Sequence, residues 1–260
     1  MNRFEKYFYT NKHGLDGRES YNTYDFFPAD TEERFNEHVE KYPDSIHIQN
    51  YLKKPIQYDL NMYGFRTPDD FDLKDSGNVF LGCSHTFGIG HYLENTWSYI
   101  LSQKIGGKFY NISHPGTGVM TQYRFLKHFS PEINFKNVFH FLPHECWQRM
   151  EYPFKEGAFD ILSYHEEHEE HFQKYKDFIL DVITVEKFSN NNVMVYIDAI
   201  KTICKENGAN YYLITDSYLK EINPYHTEMT PARDLSHYYV EEHHELANLF
   251  LKQYNNNLKQ

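Results

Sequence analysis

The sequence predicts an α/β fold, a three-layer α/β/α sandwich built on a parallel sheet of about five strands. Three observations predict it. Short, almost wholly apolar runs recur along the chain, segments of helical periodicity separate them, and the runs stop at small or turn-forming residues. Strands covered on both faces read as continuous apolar runs, and helices between such runs give βαβ units.

Taken in order, the first seventy residues are rich in Asn, Asp, Tyr and charge. They hold one predicted helix near residues 30–42, which Asp30 or Thr31 would cap. Pro55, Gly64 and Pro68 punctuate the stretch beyond that helix. Residues 1–58 are therefore read as an N-terminal extension packing on a main domain of residues 59–260. Residues 78–83 (NVFLGC) form the first predicted strand of that domain, stopping at Gly82, and a helix follows over 94–105. Residues 108–113 (KFYNIS) are the second strand, followed by a helix over 120–129. Residues 137–142 (NVFHFL) are the third, ended by Pro143. A long helix over about 189–206 leads into the fourth, residues 209–215 (ANYYLIT), and a helix from 238 to about 254 closes the chain. Parallel sheets carry their sites beyond the carboxyl ends of the strands. The loops after Cys83, Ser113, Leu142 and Thr215 are thus where function is expected.

Composition removes several function classes. Lys and Arg number 26 against 37 Asp and Glu, a net charge of −11 with His neutral, and the sequence pI is about 5.8. A phosphate-backbone binder normally carries a basic patch or stripe. Cys83, Cys146 and Cys204 are too few and too scattered for a disulfide framework and point to a reducing compartment. No apolar run approaches the roughly 20 residues that span a bilayer. The opening MNRFEKYFYTNKHG lacks the apolar core of a signal peptide. The expectation is a cytoplasmic protein with neither nucleic-acid nor membrane partners, its oligomeric state open. Aromatics make up 18% of the chain, with 23 Tyr and 21 Phe, although mean hydropathy is −0.74. Rings must build much of the core.

Three short blocks could carry chemistry. Gly82-Cys83-Ser84-His85-Thr86-Phe87-Gly88 places a serine where the first strand ends and a helix should begin. The positive end of that helix would favour negative charge developing there. Thr86 excludes the Gly-x-Ser-x-Gly elbow, and no Gly-Lys-Ser/Thr comes after it to make a phosphate loop. A serine nucleophile needs a base, and the base an orienting group. Asp234-Leu235-Ser236-His237 supplies both before the last helix, its spacing of three letting carboxylate and imidazole leave one turn together. With 16 His in the chain the bare pattern is cheap, and Asp44-Ser45-Ile46-His47 repeats it inside the extension. Asn111-Ile112-Ser113-His114-Pro115-Gly116-Thr117-Gly118 ends the second strand, where a glycine lets backbone approach closely. Each block taken singly also fits an ordinary turn.

In this order and at these strand ends, the blocks resemble the SGNH (GDSL-type) hydrolases. That family carries its nucleophile in a Gly-Asp-Ser block, a glycine block, an Asn block, and Asp-x-x-His before the last helix. The resemblance implies the flavodoxin-like SGNH hydrolase fold, with Ser84 as nucleophile, His237 as general base and Asp234 as its charge partner. It implies an oxyanion hole from the N–H groups of Ser84 and Gly116. Upstream, Asn61-Met62-Tyr63-Gly64-Phe65-Arg66 is similar to an Asn-x-x-Gly-Phe-Arg lead-in of some members, phage-encoded ones among them. Two departures stand out. Cys83 replaces the usual Asp, and the third strand runs into Pro143-His144-Glu145-Cys146 with no Asn, leaving His144 as the candidate donor, ahead of Gln148 or Arg149. Losing one such donor costs about a hundred- to a thousandfold in rate.

The function implied is a serine esterase or deacylase acting on a small acyl ester, such as an O-acetylated carbohydrate, with no metal or cofactor. The alternative is the same fold kept as a catalytically inactive carbohydrate-binding or assembly module. Arg66, His85 and Arg149 are the substrate-binding candidates, although surface pairing serves the two arginines equally well. His165, His168 and His171 recur every three residues among acids, which fits a solvated helix face better than a zinc site. Cys83 as a nucleophile competes with its reading as a small buried hydrophobe.

Overall fold

A computed structural model of the chain describes residues 23–27, 29–147, 149–153, 159–162, 186–215 and 230–259. The acidic, histidine-containing run at 165–171 and Gln148 lie outside these residues.

The elements are, in order, β1 (Thr23–Tyr24), α1 (Glu32–Lys41), α2 (Ile46–Lys53), β2 (Tyr58–Asp59), β3 (Gly77–Leu81), α3 (Ser84–Phe87), α4 (Trp97–Ile105), β4 (Lys108–Asn111), α5 (Val119–Phe129), β5 (Phe135–Phe141), β6 (Met150–Pro153), β7 (Phe159–Leu162), α6 (Glu186–Glu206), β8 (Asn210–Ile214) and α7 (Val240–Asn257). Strands β4, β3, β5 and β8 lie in that order in one sheet, every neighbour parallel. The main sheet therefore has four strands among the described residues, where the sequence predicts about five. The pairs β1–β2 and β6–β7 form separate antiparallel ribbons.

Alternation along each strand divides the core into two layers. Val79, Leu81, Tyr110 and Val138 pack with Phe125, Leu126 and Phe129 of α5 and with Val193, Ile197 and Ile200 of α6. Phe80, Phe109, Phe139, Phe141 and Ile214 face the other way, onto Trp97 and Leu101 of α4 and Leu246 and Phe250 of α7. A pair of helices thus covers each face, and rings supply most of the second layer. Phe80 stacks on Phe139 at 5.5 Å and Phe139 on Tyr212 at 4.8 Å between centroids, so one aromatic row crosses three strands. At the opposite end of the strands, Asn137 Nδ2 donates to Asn78 Oδ1 at 2.8 Å and Asn210 Nδ2 to Asn137 Oδ1 at 3.1 Å. That amide ladder satisfies polar groups that burial would otherwise leave costly.

The extension's described part shares a third core. Phe27, Phe35, Ile48, Tyr51, Ile56 and Tyr58 pack with Phe87 and Ile89, which come after Ser84. Thr31 rather than Asp30 caps α1, accepting the Arg34 N–H at 3.2 Å. Among the described residues no helix is long and apolar enough to cross a membrane.

Candidate active site

The strand order reverses between the β3–β4 and β3–β5 crossovers, so the carboxyl ends of β3 and β5 border the crevice where such sheets bind ligands. Ser84 sits there. Gly82 is obligatory at the end of β3: a Cβ would meet Thr86 Oγ1 at 2.0 Å and the Phe141 carbonyl oxygen at 2.9 Å. The helix expected after the serine is the single turn α3, closed by Gly88 at φ +85°, so the dipole support anticipated for Ser84 shrinks to that of one turn. Ser84 Oγ, only 8% of the residue exposed, contacts Cys83 Sγ at 3.9 Å.

Asp234 and His237 form the second part. His237 Nδ1 donates to Asp234 Oδ2 at 2.6 Å, and the N–H groups of Ser236 and His237 reach Asp234 Oδ1 at 3.3 and 3.4 Å. Leu235 adopts φ +54° to make this turn, a region disfavoured for a branched side chain and typical of functional strain. Burial pushes the Asp234 carboxyl up, but the hydrogen bond and charge of His237, with the Ser236 N–H, prevail and hold it below its ordinary value. The copy at Asp44–His47 is a helix start: Ser45 precedes α2 and His47 lies in its first turn.

The two parts meet through neighbours. The His85 ring lies 5.0 Å from that of His237 and stacks on Tyr238 at 4.0 Å. Burial, ahead of the charges of His237 and Arg149, keeps His85 well below its ordinary value, so it stands neutral in this packing. The Ser84 hydroxyl and the His237 ring do not hydrogen-bond to each other: among the described residues Ser84 Oγ has Cys83 as its partner and His237 has Asp234.

The glycine block lies after β4, with Gly116 at φ +78° and no atom within 4 Å of an added Cβ. Thr117 Oγ1 has two carbonyl acceptors for its single proton, His114 at 2.8 Å and Gly82 at 3.2 Å, which sets this loop against the serine loop. Beneath it runs a buried chain in which His140 Nε2 meets Gln122 Oε1 at 2.6 Å and Gln122 Nε2 reaches Thr117 Oγ1 at 3.5 Å. His144 stands exposed after β5, its ring 5.5 Å from Trp147.

The two arginines separate sharply. Arg66 is buried, and its guanidinium donates to the carbonyl oxygens of Gly88 (2.6 Å), His91 (2.8 Å), Gln57 (3.0 Å) and Phe87 (3.4 Å). Read from the sequence as a substrate-binding candidate, Arg66 instead lies enclosed behind the Ser84 loop, with Nη1 and Nη2 engaged by these carbonyls and Nε buried without a partner among the described residues. The Asn-x-x-Gly-Phe-Arg stretch delivers it there. Asn61 Oδ1 accepts the N–H groups of Tyr63 and Phe65, each at 3.0 Å, and Gly64 turns at φ +80°. Arg149, by contrast, lies at the crevice. Its Nη1 reaches the Thr117 carbonyl oxygen at 3.4 Å and Cys146 Sγ at 3.8 Å. Cys146 and, next, Arg149 make Cys83 the more acidic thiol of the buried Cys83–Cys146 pair. Among the described residues no group of three or more His, Cys, Asp or Glu side chains is placed to hold a metal ion.

Sequence reasoning missed Arg233, the residue that precedes Asp234, together with Tyr58 and the role of Asp30, which accepts hydrogen bonds from both. The available signal was an arginine directly before the Asp-x-x-His block of an acidic chain. No family model and no curated protein matches this chain.

Proposed function

We propose that this chain is a serine ester hydrolase of the SGNH type, acting on a small acyl ester such as an O-acetylated carbohydrate. One observation carries the reading: Asp234 and His237 are joined at 2.6 Å, and that imidazole packs 5.0 Å from His85, the residue after Ser84. The parallel order β4-β3-β5-β8 agrees with the flavodoxin-like SGNH fold, and three unpaired cysteines agree with a cytoplasmic location.

In this mechanism Asp234 keeps the proton on Nδ1, leaving Nε2 as a base. His237 Nε2 takes the Ser84 proton as Oγ attacks the ester carbonyl. The N–H groups of Ser84 and Gly116, which have no acceptor among the described residues, receive the oxyanion. His237 then gives its proton to the leaving alcohol. Water, deprotonated by His237, cleaves the acyl-enzyme and restores Ser84. The Ser84–His237 hydrogen bond closes on binding, as such bonds commonly tighten only in the substrate complex.

A second reading, a non-catalytic carbohydrate-binding or assembly module, is favoured by the contact of Ser84 Oγ with Cys83 instead of His237 and by the missing Asn after β5. A fluorophosphonate probe with peptide mapping separates the two. Labelling of Ser84 that disappears in His237→Ala supports the hydrolase. A folded protein that resists labelling supports the module.

A further inference from the structure

The described part of the extension grips the candidate site through a closed circuit of hydrogen bonds. Asp30 accepts Arg233 Nε at 2.9 Å on Oδ1 and Arg233 Nη2 at 2.6 Å on Oδ2. The Arg233 backbone N–H donates to the Gly90 carbonyl oxygen at 2.8 Å. Gly90 N–H donates to Tyr58 Oη at 2.8 Å, and Tyr58 Oη donates back to Asp30 Oδ2 at 2.5 Å. Gly90 belongs to the loop beyond Ser84, and Arg233 is bonded to Asp234. The circuit therefore spans both halves of the site.

Further contacts from the extension hold the same segment. Tyr51 Oη donates to the Pro231 carbonyl oxygen at 2.6 Å, and His38 Nδ1 meets the Arg233 carbonyl oxygen at 3.2 Å. The Arg233 guanidinium lies 4.4 Å over the Phe26 ring and 5.4 Å from that of Phe35. The fit at Gly90 leaves no slack: a Cβ would meet Asp234 Oδ1 and Ala232 Cβ, each at 2.9 Å.

A buried ion pair is a poor source of net stability, because desolvation offsets its attraction, and apolar residues of equal volume often serve as well. Asp30 and Arg233 are each 1% exposed. In some proteins such a pair serves instead to fix geometry, and here its arginine stands two residues before the left-handed Leu235 of the Asp234–His237 turn.

We propose that Asp30 and Tyr58, acting through Arg233 and Gly90, are positioning residues that hold the Asp234–His237 pair in register with the Ser84 loop. The proposal rests on the hydrolase reading only for its catalytic consequence, since the geometry itself is measurable without turnover.

The test uses Asp30→Asn and Tyr58→Phe in the full chain, each held well below its melting temperature. Two readouts are measured: the low-field NMR signal of the His237 Nδ1 proton shared with Asp234, and the fluorophosphonate labelling rate of Ser84. Asp30→Asn is expected to lose the low-field signal and to label about a hundredfold more slowly, the scale of a displacement of about 1 Å. Tyr58→Phe, which removes a single hydroxyl, is expected to weaken both. A purely structural role would lower the melting temperature while leaving both readouts as in wild type, and that result overturns the proposal. Absence of the low-field signal from the wild-type protein overturns it as well. A wild-type protein that shows the signal but never labels overturns the hydrolase reading alone, and the NMR readout then decides the clamp. Should Asp30→Asn fail to fold, Tyr58→Phe decides.

Discussion

His237 donates from Nδ1 to Asp234 Oδ2 at 2.6 Å, across a turn in which Leu235 takes φ +54°. The direction of that bond fixes the tautomer, because a carboxylate accepts and never donates. An amide in its place can offer an N–H to Nδ1, which moves the ring proton to Nε2, the atom that must act as base. Asp234→Asn is therefore expected to leave the fold intact and to slow labelling of Ser84 by roughly ten-thousandfold. Nitrogen-15 chemical shifts of the His237 ring report the tautomer directly. Labelling within tenfold of wild type would remove Asp234 from the mechanism.

Arg66 belongs to stability. Arg66→Ala withdraws the guanidinium from four carbonyl oxygens behind the serine loop, of which that of Gly88 keeps the His91 N–H at 3.3 Å. A buried acceptor left unpaired costs about 1–3 kcal/mol, and relaxation of the loop recovers part of the sum. A net loss of about 3–5 kcal/mol is expected in urea denaturation, with unchanged labelling of the molecules that remain folded. A loss under 1 kcal/mol would show that the guanidinium is dispensable there.

How far the sequence discloses this arrangement depends on the range of the interaction concerned. The four strands of the main sheet are legible because burial of both faces at its centre makes runs such as 78–83 and 137–142 almost wholly apolar. Asp234 and His237 are legible because three residues separate them. Helix α2 is obscured because it is only 8 residues long and the Asp44–His47 block at its start shows as a bare repeat of the Asp-x-x-His pattern. The Asp30–Arg233 pair spans 203 residues, and no local pattern encodes a partner that distant. Asp30 reads as a cap for the same reason: next to a helix start, an aspartate's local use is the visible one. Arg66 reads as a ligand-binding cation because its enclosure by the Gly88 loop is wholly tertiary. The aromatic richness that composition announces is resolved where the rings are described: Phe26 and Phe35 flank Arg233, and Phe80, Phe139 and Tyr212 line one face of the sheet.

Acid should destabilise the protein steeply, through histidines kept neutral by burial. Burial brings His91 down to about 4 and His140 down to about 3, and it holds His243 well below its ordinary value. The His91 and His243 rings touch at 4.6 Å, so two charges there would also repel. In the unfolded chain each takes up a proton near pH 6.5. Folded-state values lie below unfolded ones, so stability is full above about pH 6.5 and falls as pH drops toward the folded values. Each histidine contributes about 1.4 kcal/mol per pH unit to that slope. The three together would remove about 6 kcal/mol by pH 5, comparable to the whole stability of many domains. Denaturation curves at pH 7, 6 and 5 should show the decline, and His91→Gln should reduce its slope by about one proton. A stability that stays level from pH 7 to 5 would contradict the neutral, buried placement.

Two glycines of the second block separate backbone strain from steric exclusion. Gly116 has φ +78° but open space where a Cβ would go, so Gly116→Ala should cost only the left-handed backbone term, about 1–2 kcal/mol. Gly118 has an unremarkable φ of −95° as the residue before α5. A Cβ there would lie 2.4 Å from the Arg149 carbonyl oxygen and 2.9 Å from Arg149 Cβ. Backbone cannot swing aside as a long side chain does, so Gly118→Ala must push the Arg149 segment away from the loop. The expected cost is about 1–3 kcal/mol from overpacking, and the displacement also draws the guanidinium away from Cys146. Cys83 should then titrate at higher pH, readable as thiolate absorbance, whereas Gly116→Ala leaves that titration unchanged. Equal thiol titrations in the two variants would mean that Arg149 is not held against the crevice by the close approach at Gly118.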